Sequence, residues 1–224
     1  NIADSIVTHA LDFIRANQNK PFFLYFATND IHVPRFPHER FRGKNPMGLR
    51  GDAIAQFDWS VGRLLQTLDE LGLTENTLII LSSDNGPVVD DGYADQATER
   101  LGDHRPTGDL RGNKYSAFDG GTRIPAIVRW PHEIREPRVS DALVSQIDWL
   151  ASLARLLDAR LPKGSASDSR DYLESWLGRS DEDRPWVVGQ ALNKALFIRT
   201  PEWKYIEPSE GPSITQYERI ETGY

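Results

Sequence analysis

The stretch Thr77-Leu-Ile-Ile-Leu-Ser-Ser-Asp-Asn-Gly86 decides the fold. Its first seven residues are uncharged and mostly apolar, the pattern of a strand covered on both faces. At Asp84-Asn-Gly86 the chain reaches residue types that end strands and turn. A second run of the same kind lies upstream, Pro21-Phe-Phe-Leu-Tyr-Phe-Ala-Thr28. Between the two, Ile54, Phe57, Val61, Leu64, Leu65, Leu68 and Leu71 recur at helical spacing, and Gly72 stands where that helix would stop. Strand, helix and strand in that order predict a βαβ unit with parallel pairing.

Working outward, Ile6, Ala10, Phe13 and Ile14 mark a first helix that the polar residues 17–20 bring to an end. Residues 84–122 have no clear periodicity and are rich in Gly, Asp and Arg. Ordinary connections rarely exceed about 12–15 residues, so a functional loop is expected there. Residues 123–130 read as a third strand and 146–157 as an amphipathic helix. Past Pro162 the character changes to a Ser/Asp/Gly linker over 163–170, a short helix over 172–177, and short antiparallel strands over 186–191, 196–200 and 203–207. Trp186, Phe197, Trp203 and Tyr205 are the expected core of this appendage. The expected fold class is α/β: a mixed, mostly parallel sheet flanked by helices over residues 1–162. A small, incomplete α+β subdomain with antiparallel strands follows over 163–224.

Composition narrows the function. At about 150 residues per domain, 224 residues fit one large domain or one with a small appendage. The chain is 39% hydrophobic and 26% charged, which excludes wholesale disorder. With 26 basic against 33 acidic residues the formal charge is −7, so a broad grip on nucleic acid is disfavoured, although a local basic pocket for a small anion is not. The absence of Cys removes disulfides, thiolate zinc sites and any Cys nucleophile from this chain. No apolar run approaches the roughly 18 residues of a membrane span. The chain opens at Asn1 without the features of a signal peptide, and the expectation is a processed or excised piece of a longer protein.

In open α/β sheets ligands favour the crevice beyond the carboxyl ends of the strands. Asp84 and Asn85, just after the second strand, supply a carboxylate and an amide oxygen, hard donors suited to Ca²⁺ or Mg²⁺. The same tetrapeptide with Pro87 is also a plain turn, and two donors fall short of the 6 to 8 oxygens that Ca²⁺ takes. His32, after the first strand, is a proton donor or acceptor, or simply a loop residue with a local hydrogen bond. Lys114 is either a cation for charge developing on a substrate oxygen or a solvated loop lysine. His104 is the candidate to contact substrate from the long loop, against a plainer surface role. No Walker or dinucleotide phosphate loop, Gly-x-Ser-x-Gly elbow, His-Glu-x-x-His or Cys/His cluster is present.

Taken in order, these pieces resemble the carboxyl-terminal half of a formylglycine-dependent sulfatase of the arylsulfatase type, within the alkaline-phosphatase-like superfamily. The segments that carry the likeness are Pro21-Phe-Phe-Leu-Tyr-Phe-Ala with His32-Val-Pro, Thr77 through Gly86, Leu110-Arg-Gly-Asn-Lys-Tyr-Ser-Ala-Phe-Asp-Gly-Gly-Thr-Arg-Ile-Pro125, and Ile198-Arg-Thr-Pro-Glu-Trp-Lys-Tyr205. Each motif is weak alone; the ordered set is specific.

The resemblance implies sulfate-ester hydrolysis, on a sulfated carbohydrate such as a 6-O-sulfated hexosamine or galactose, or on an aryl sulfate. It implies Asp84 and Asn85 as two ligands of Ca²⁺ (Mg²⁺ as alternative), His32 as proton donor to the departing alcohol, and Lys114 on a sulfate oxygen. It also implies a periplasmic or secreted setting. The family's C/S-x-P-x-R motif, source of the formylglycine, does not occur in this chain and is expected upstream, with the amino-terminal half of the enzyme. The isolated chain is therefore expected to be inactive. Two other readings stand beside this one: a noncatalytic sulfated-glycan-binding remnant, and a phosphoryl-transfer relative of the same superfamily.

Overall fold

A computed structural model describes residues 2–208. By contact density these residues divide into two compact units. One comprises residues 2–77 and 87–109, the other residues 78–86 and 110–208.

The first unit is built on two packed helices, α1 (Ile2–Asn17) and α2 (Gly48–Glu70). Ala3, Val7, Ala10, Leu11 and Ile14 form the buried stripe of α1, at the spacing that keeps one face of a helix together. Phe13, expected on that face, is partly exposed and instead meets the edge of the Phe22 ring, with centroids 5.9 Å apart. The α2 helix ends as its sequence predicts. Gly72 takes φ +67°, and the Leu73 amide reaches back to the Leu68 carbonyl at 2.8 Å.

The buried face of α2 was not the expected one. Arg50, Asp52, Gln56, Ser60 and Thr67 are buried, whereas Ile54, Phe57, Val61, Leu64 and Leu65 are only half-buried. The polar face is the one that must reach buried backbone: Asp52 accepts the Gly43 and Asn45 amides at 2.8 and 3.0 Å. Buried polar groups are retained where they are hydrogen-bonded in this way.

The second unit holds both sheets. Strand β1 (Ile79–Ser82) pairs with β2 (Ala126–Arg129), Ile79 opposite Arg129 and Ser82 opposite Ala126. Between them lies α3 (Asp119–Thr122), a single turn. A 3₁₀ turn at Gln146–Asp148, closed by a Ser145/Asp148 capping box, leads into α4 (Trp149–Leu156), whose Trp149 meets Trp176 of α5 (Leu173–Trp176) edge to face. The fully buried Asp148 is paired with Arg184 and also accepts the Ser145 and Arg170 amides. Last comes the antiparallel sheet β3 (Val187–Gln190), β4 (Leu196–Arg199), β5 (Lys204–Ile206).

One expectation is not confirmed here and another is corrected. Every strand pair among the described residues is antiparallel, so the parallel βαβ pairing is not confirmed. Residues 21–28 alternate in burial, but they form no strand with any described neighbour, and Phe23 and Tyr25 are 75% and 77% exposed. An apolar run dictates an extended backbone; it does not choose the neighbour. The correction concerns the aromatic core of the appendage. Only Phe197 is buried, while Trp203 and Tyr205 are 77% and 61% exposed. Strand alternation explains it: Val188, Ile198 and Tyr205 stand opposite one another and share the open face, and Phe197 points the other way.

Candidate active site

In the second unit the strand end and the lysine segment are joined through backbone. Gly86 donates its amide to the Gly121 carbonyl at 3.0 Å, and Gly120 donates to Arg111 at 2.7 Å. A Cβ on Gly86 would lie 1.9 Å from the Gly120 oxygen, one on Gly120 1.9 Å from the Gly112 oxygen, and one on Gly121 2.4 Å from the Asn113 oxygen. Only glycine permits this approach. The Asp84-Asn-Gly86 turn and the segment leading into Lys114 therefore form one framework.

On that framework Asp84 is exposed, and the described residues give its carboxylate no hydrogen bond or ion pair. Asn85 turns its amide nitrogen to the Gly86 carbonyl at 2.8 Å. A carbonyl can only accept, so the nitrogen must face it and the Asn85 Oδ1 is left as an open acceptor. The turn is braced from two sides: Ser83 Oγ donates to the Asn85 carbonyl at 3.0 Å, and Gln146 Nε2 donates to the Ser83 carbonyl at 2.8 Å and to Ser82 Oγ at 3.1 Å. Lys114 is half-buried, with Nζ 5.3 Å from the centroid of the Tyr115 ring and no ion pair to a described residue. Tyr115 itself has φ +79°, a strained setting for a bulky residue.

His32 and His104 lie in the first unit. His32 closes a turn on the Asn29 carbonyl at 3.1 Å, and its Nδ1 lies 2.7 Å from the Val33 carbonyl. Because that oxygen accepts, Nδ1 carries the proton and Nε2 is the atom presented to solvent chemistry. The loop is anchored on both sides of the histidine. Buried Asp30 accepts from Gln56 of α2 at 2.6 Å; Arg35 donates to the Ile31 carbonyl at 3.0 Å and pairs with Asp95. His104 is an exposed turn residue whose amide bonds the Leu101 carbonyl.

The second unit thus brings Asp84, Asn85 and Lys114 onto one scaffold, while His32 and His104 are held on another. Sequence reading passed over Gln146, Asp119 and the Arg35–Asp95 pair. The Gly120-Gly121 doublet was the available signal for the scaffold, since paired glycines outside an evident turn mark a close backbone approach.

A family model described as Sulfatase matches residues 2–159. The chain belongs to the sulfatase family. It is 52% identical over 223 residues to an N-acetylgalactosamine-6-O-sulfatase of Bacteroides thetaiotaomicron, covering 100% of this chain and 43% of that protein. To the steryl-sulfatase of Rattus norvegicus it is 36% identical over 177 residues, covering 79% of the chain and 30% of the relative. A solved structure from work on glycosaminoglycan metabolism by Bacteroides thetaiotaomicron superposes with a TM-score of 0.94 at 52% identity, over 99% of this chain and 46% of that one. The chain therefore spans less than half the length of these relatives. The structural neighbours are sulfatases of alkaline-phosphatase-like fold, and the described residues of this chain form mixed helices and small antiparallel sheets.

Family membership raises the question of a metal. The donors present fit a hard divalent cation in kind: a carboxylate with no competing partner, and an amide oxygen held open beside it. Among the described residues no group of three or more His, Cys, Asp or Glu is placed to hold a metal ion. Asp84 and Asn85 would thus be part of a ligand set that other residues complete. No described helix is long and apolar enough to cross a membrane.

Proposed function

We propose that the chain supplies the carboxyl-terminal part of a sulfuric ester hydrolase that removes sulfate from a sulfated carbohydrate, with a 6-O-sulfated hexosamine or galactose as the first choice. The observation that carries this reading is the shared scaffold of Asp84, Asn85 and Lys114 in a chain 52% identical to an N-acetylgalactosamine-6-O-sulfatase.

In this reading Lys114 binds a nonbridging sulfate oxygen and offsets negative charge as the ester bond breaks. The His32 ring acts in its doubly protonated form: Nδ1–H stays on the Val33 carbonyl while Nε2 gives its proton to the leaving sugar oxygen, whose departure as an alkoxide would otherwise limit the rate, and the ring is left neutral. His104 contacts the sugar from the loop. Asp84 and Asn85 hold Ca²⁺, or Mg²⁺ in its place, and the cation when bound supplies electrostatic hold on the anionic ester. The formylglycine nucleophile and the remaining ligands come from the amino-terminal half of the same enzyme.

That half would also supply the strands beside residues 21–28, completing a mixed, mostly parallel sheet. The exposed Phe23 and Tyr25 and the half-buried apolar stripe of α2 support a larger core than the described residues form. Residues 1–162 then belong to the catalytic layer and 163–224 to a small C-terminal subdomain, in an enzyme that is periplasmic or secreted.

The test is sulfate release by the full-length polypeptide from N-acetylgalactosamine 6-sulfate, a steryl sulfate and nitrophenyl sulfate. The expected order puts the amino sugar first. Preference for the steryl ester would overturn the substrate, and release from none of the three would overturn the activity.

A further inference from the structure

The small sheet β3–β5 makes two contacts with the segment that carries Lys114. From the turn between β3 and β4, the Leu192 amide donates to the Tyr115 carbonyl at 3.0 Å. From β5, Lys204 Nζ donates to Asp119 Oδ1 at 2.9 Å and to Thr122 Oγ1 at 2.7 Å. Lys204 is mostly buried, its side chain 12% exposed, and its ammonium lies 4.3 Å from the centroid of the Phe197 ring. Gly189 makes room for that ring: a Cβ there would come within 2.3 Å of Phe197 Cζ.

The lysine segment is closed locally by Ser116, whose amide and Oγ both donate to the Asn113 carbonyl, but it carries backbone strain. Tyr115 sits at φ +79°, which persists only when the surroundings impose it. The Leu192 bond fixes that residue on one side of the loop. On the other side α3 carries Asp119 and Thr122, together with Gly120 and Gly121, whose backbones abut Arg111, Gly112 and Asn113. Asn113 directly precedes Lys114, and Gly121 accepts the amide of Gly86 from the Asp84-Asn-Gly86 turn.

We propose that Lys204 and Asp119 are positioning residues for the sulfate site: their ion pair seats α3, and through its glycines sets the place of both Lys114 and the Asp84–Asn85 turn. The small sheet is then a working part of the active site without touching substrate. This inference rests on the sulfatase reading given above. Holding Lys204 charged is costly because burial disfavours the ammonium and depresses its pKa from the ordinary lysine value, a cost that Asp119 offsets.

The test compares Lys204→Met, Asp119→Asn, their double variant, Lys204→Arg and Lys114→Ala in the full-length enzyme. Readouts are kcat, KM, inhibition by inorganic sulfate, and thermal midpoint. Misplacement of a binding group by about 1 Å costs up to roughly 100-fold, so Lys204→Met and Asp119→Asn are each expected to lower kcat/KM by about tenfold or more. Sulfate inhibition should weaken in parallel. The double variant should be little worse than either single one, because both remove the same link, and Lys204→Arg should recover most of the loss.

A folded Lys204→Met enzyme with kcat/KM and sulfate inhibition within twofold of the parent, beside an inactive Lys114→Ala, overturns this inference alone. A fully active Lys114→Ala overturns the reading beneath it. Should Lys204→Met not fold, Thr122→Val, which removes the bond from Lys204 and the Oγ1 bond to the Phe118 carbonyl, decides instead. A fall of about threefold or more supports the inference, and an unchanged kcat/KM overturns it.

Discussion

The amide of Gly86 is bonded to the carbonyl of Gly121 at 3.0 Å, and this bond joins the end of β1 to the loop that presents Lys114. The two residues are 35 positions apart, yet neither has room for a single added carbon. The residues proposed for a cation and the lysine proposed for an anion are thereby held on one backbone framework.

The glycine framework should therefore tolerate no side chain. Gly120→Ala would place its Cβ 1.9 Å from the Gly112 oxygen, against backbone that cannot swing aside. A loss of stability of about 1–3 kcal/mol or more is expected, as for overpacking generally. Urea midpoints of the variant and parent check it; an unchanged midpoint would mean the close approach is relaxed in solution.

For His32, the prediction separates substrates by leaving group. Replacement by Gln removes the proton donor and should cut kcat for a sugar sulfate by about 10²–10⁴-fold. Nitrophenyl sulfate, whose leaving group departs without a proton, should lose far less. Equal losses on both would sink the assignment of Nε2 as donor.

Metal content tests the strand end. If Asp84 is a ligand as proposed, Asp84→Ala should weaken Ca²⁺ binding by more than the roughly 10–100-fold typical of outer-shell partners. Gln146→Leu, which takes two hydrogen bonds from Ser82 and Ser83, should weaken it within that smaller range. Calorimetric titration of the full-length protein with Ca²⁺ distinguishes the two.

The link from α1 to the loop over residues 38–42 should be sensitive to acid. Arg40 pairs with Asp4, whose carboxyl is held below its ordinary value of 3.8, the Arg40 hydrogen bond being the largest cause. A carboxyl depressed on folding stabilises fully above its unfolded value, and that contribution is lost as pH falls through the lowered one. Asp4 is partly exposed, so the effect should stay below about 1 kcal/mol. The gap between the urea midpoints of Asp4→Asn and parent should be smaller at pH 3 than at pH 7; an unchanged gap would mean the pair contributes nothing that acid removes.

Local chemistry was legible wherever it is written in consecutive residues. The stop of α2 at Gly72, the strand over 79–82, the helix after the capping box at Ser145 and the three late strands all follow from propensity, periodicity and turn residues. So does the grouping of Asp84 with Asn85. Less legible was the buried face of α2. Its apolar stripe predicts burial, but the loop amides of Gly43 and Asn45 donate their hydrogen bonds to Asp52 on another face. Trp203 and Tyr205 misled for a similar reason, since an aromatic cluster in sequence is split between two faces once a strand alternates.

The sequence by itself determined the family, because an ordered set of short motifs survives reading without any contact being known. It also determined which residue types are present for the chemistry: two oxygen donors, a lysine and a histidine. Only the tertiary structure decided that Gly86 meets Gly121, that Gln146 braces the strand end, and that Lys204 reaches Asp119 across 85 positions. Such links depend on where the backbone returns after long connections. Side-chain periodicity carries no record of that, and steric exclusion and hydrogen-bond satisfaction fix it only when the whole chain is packed.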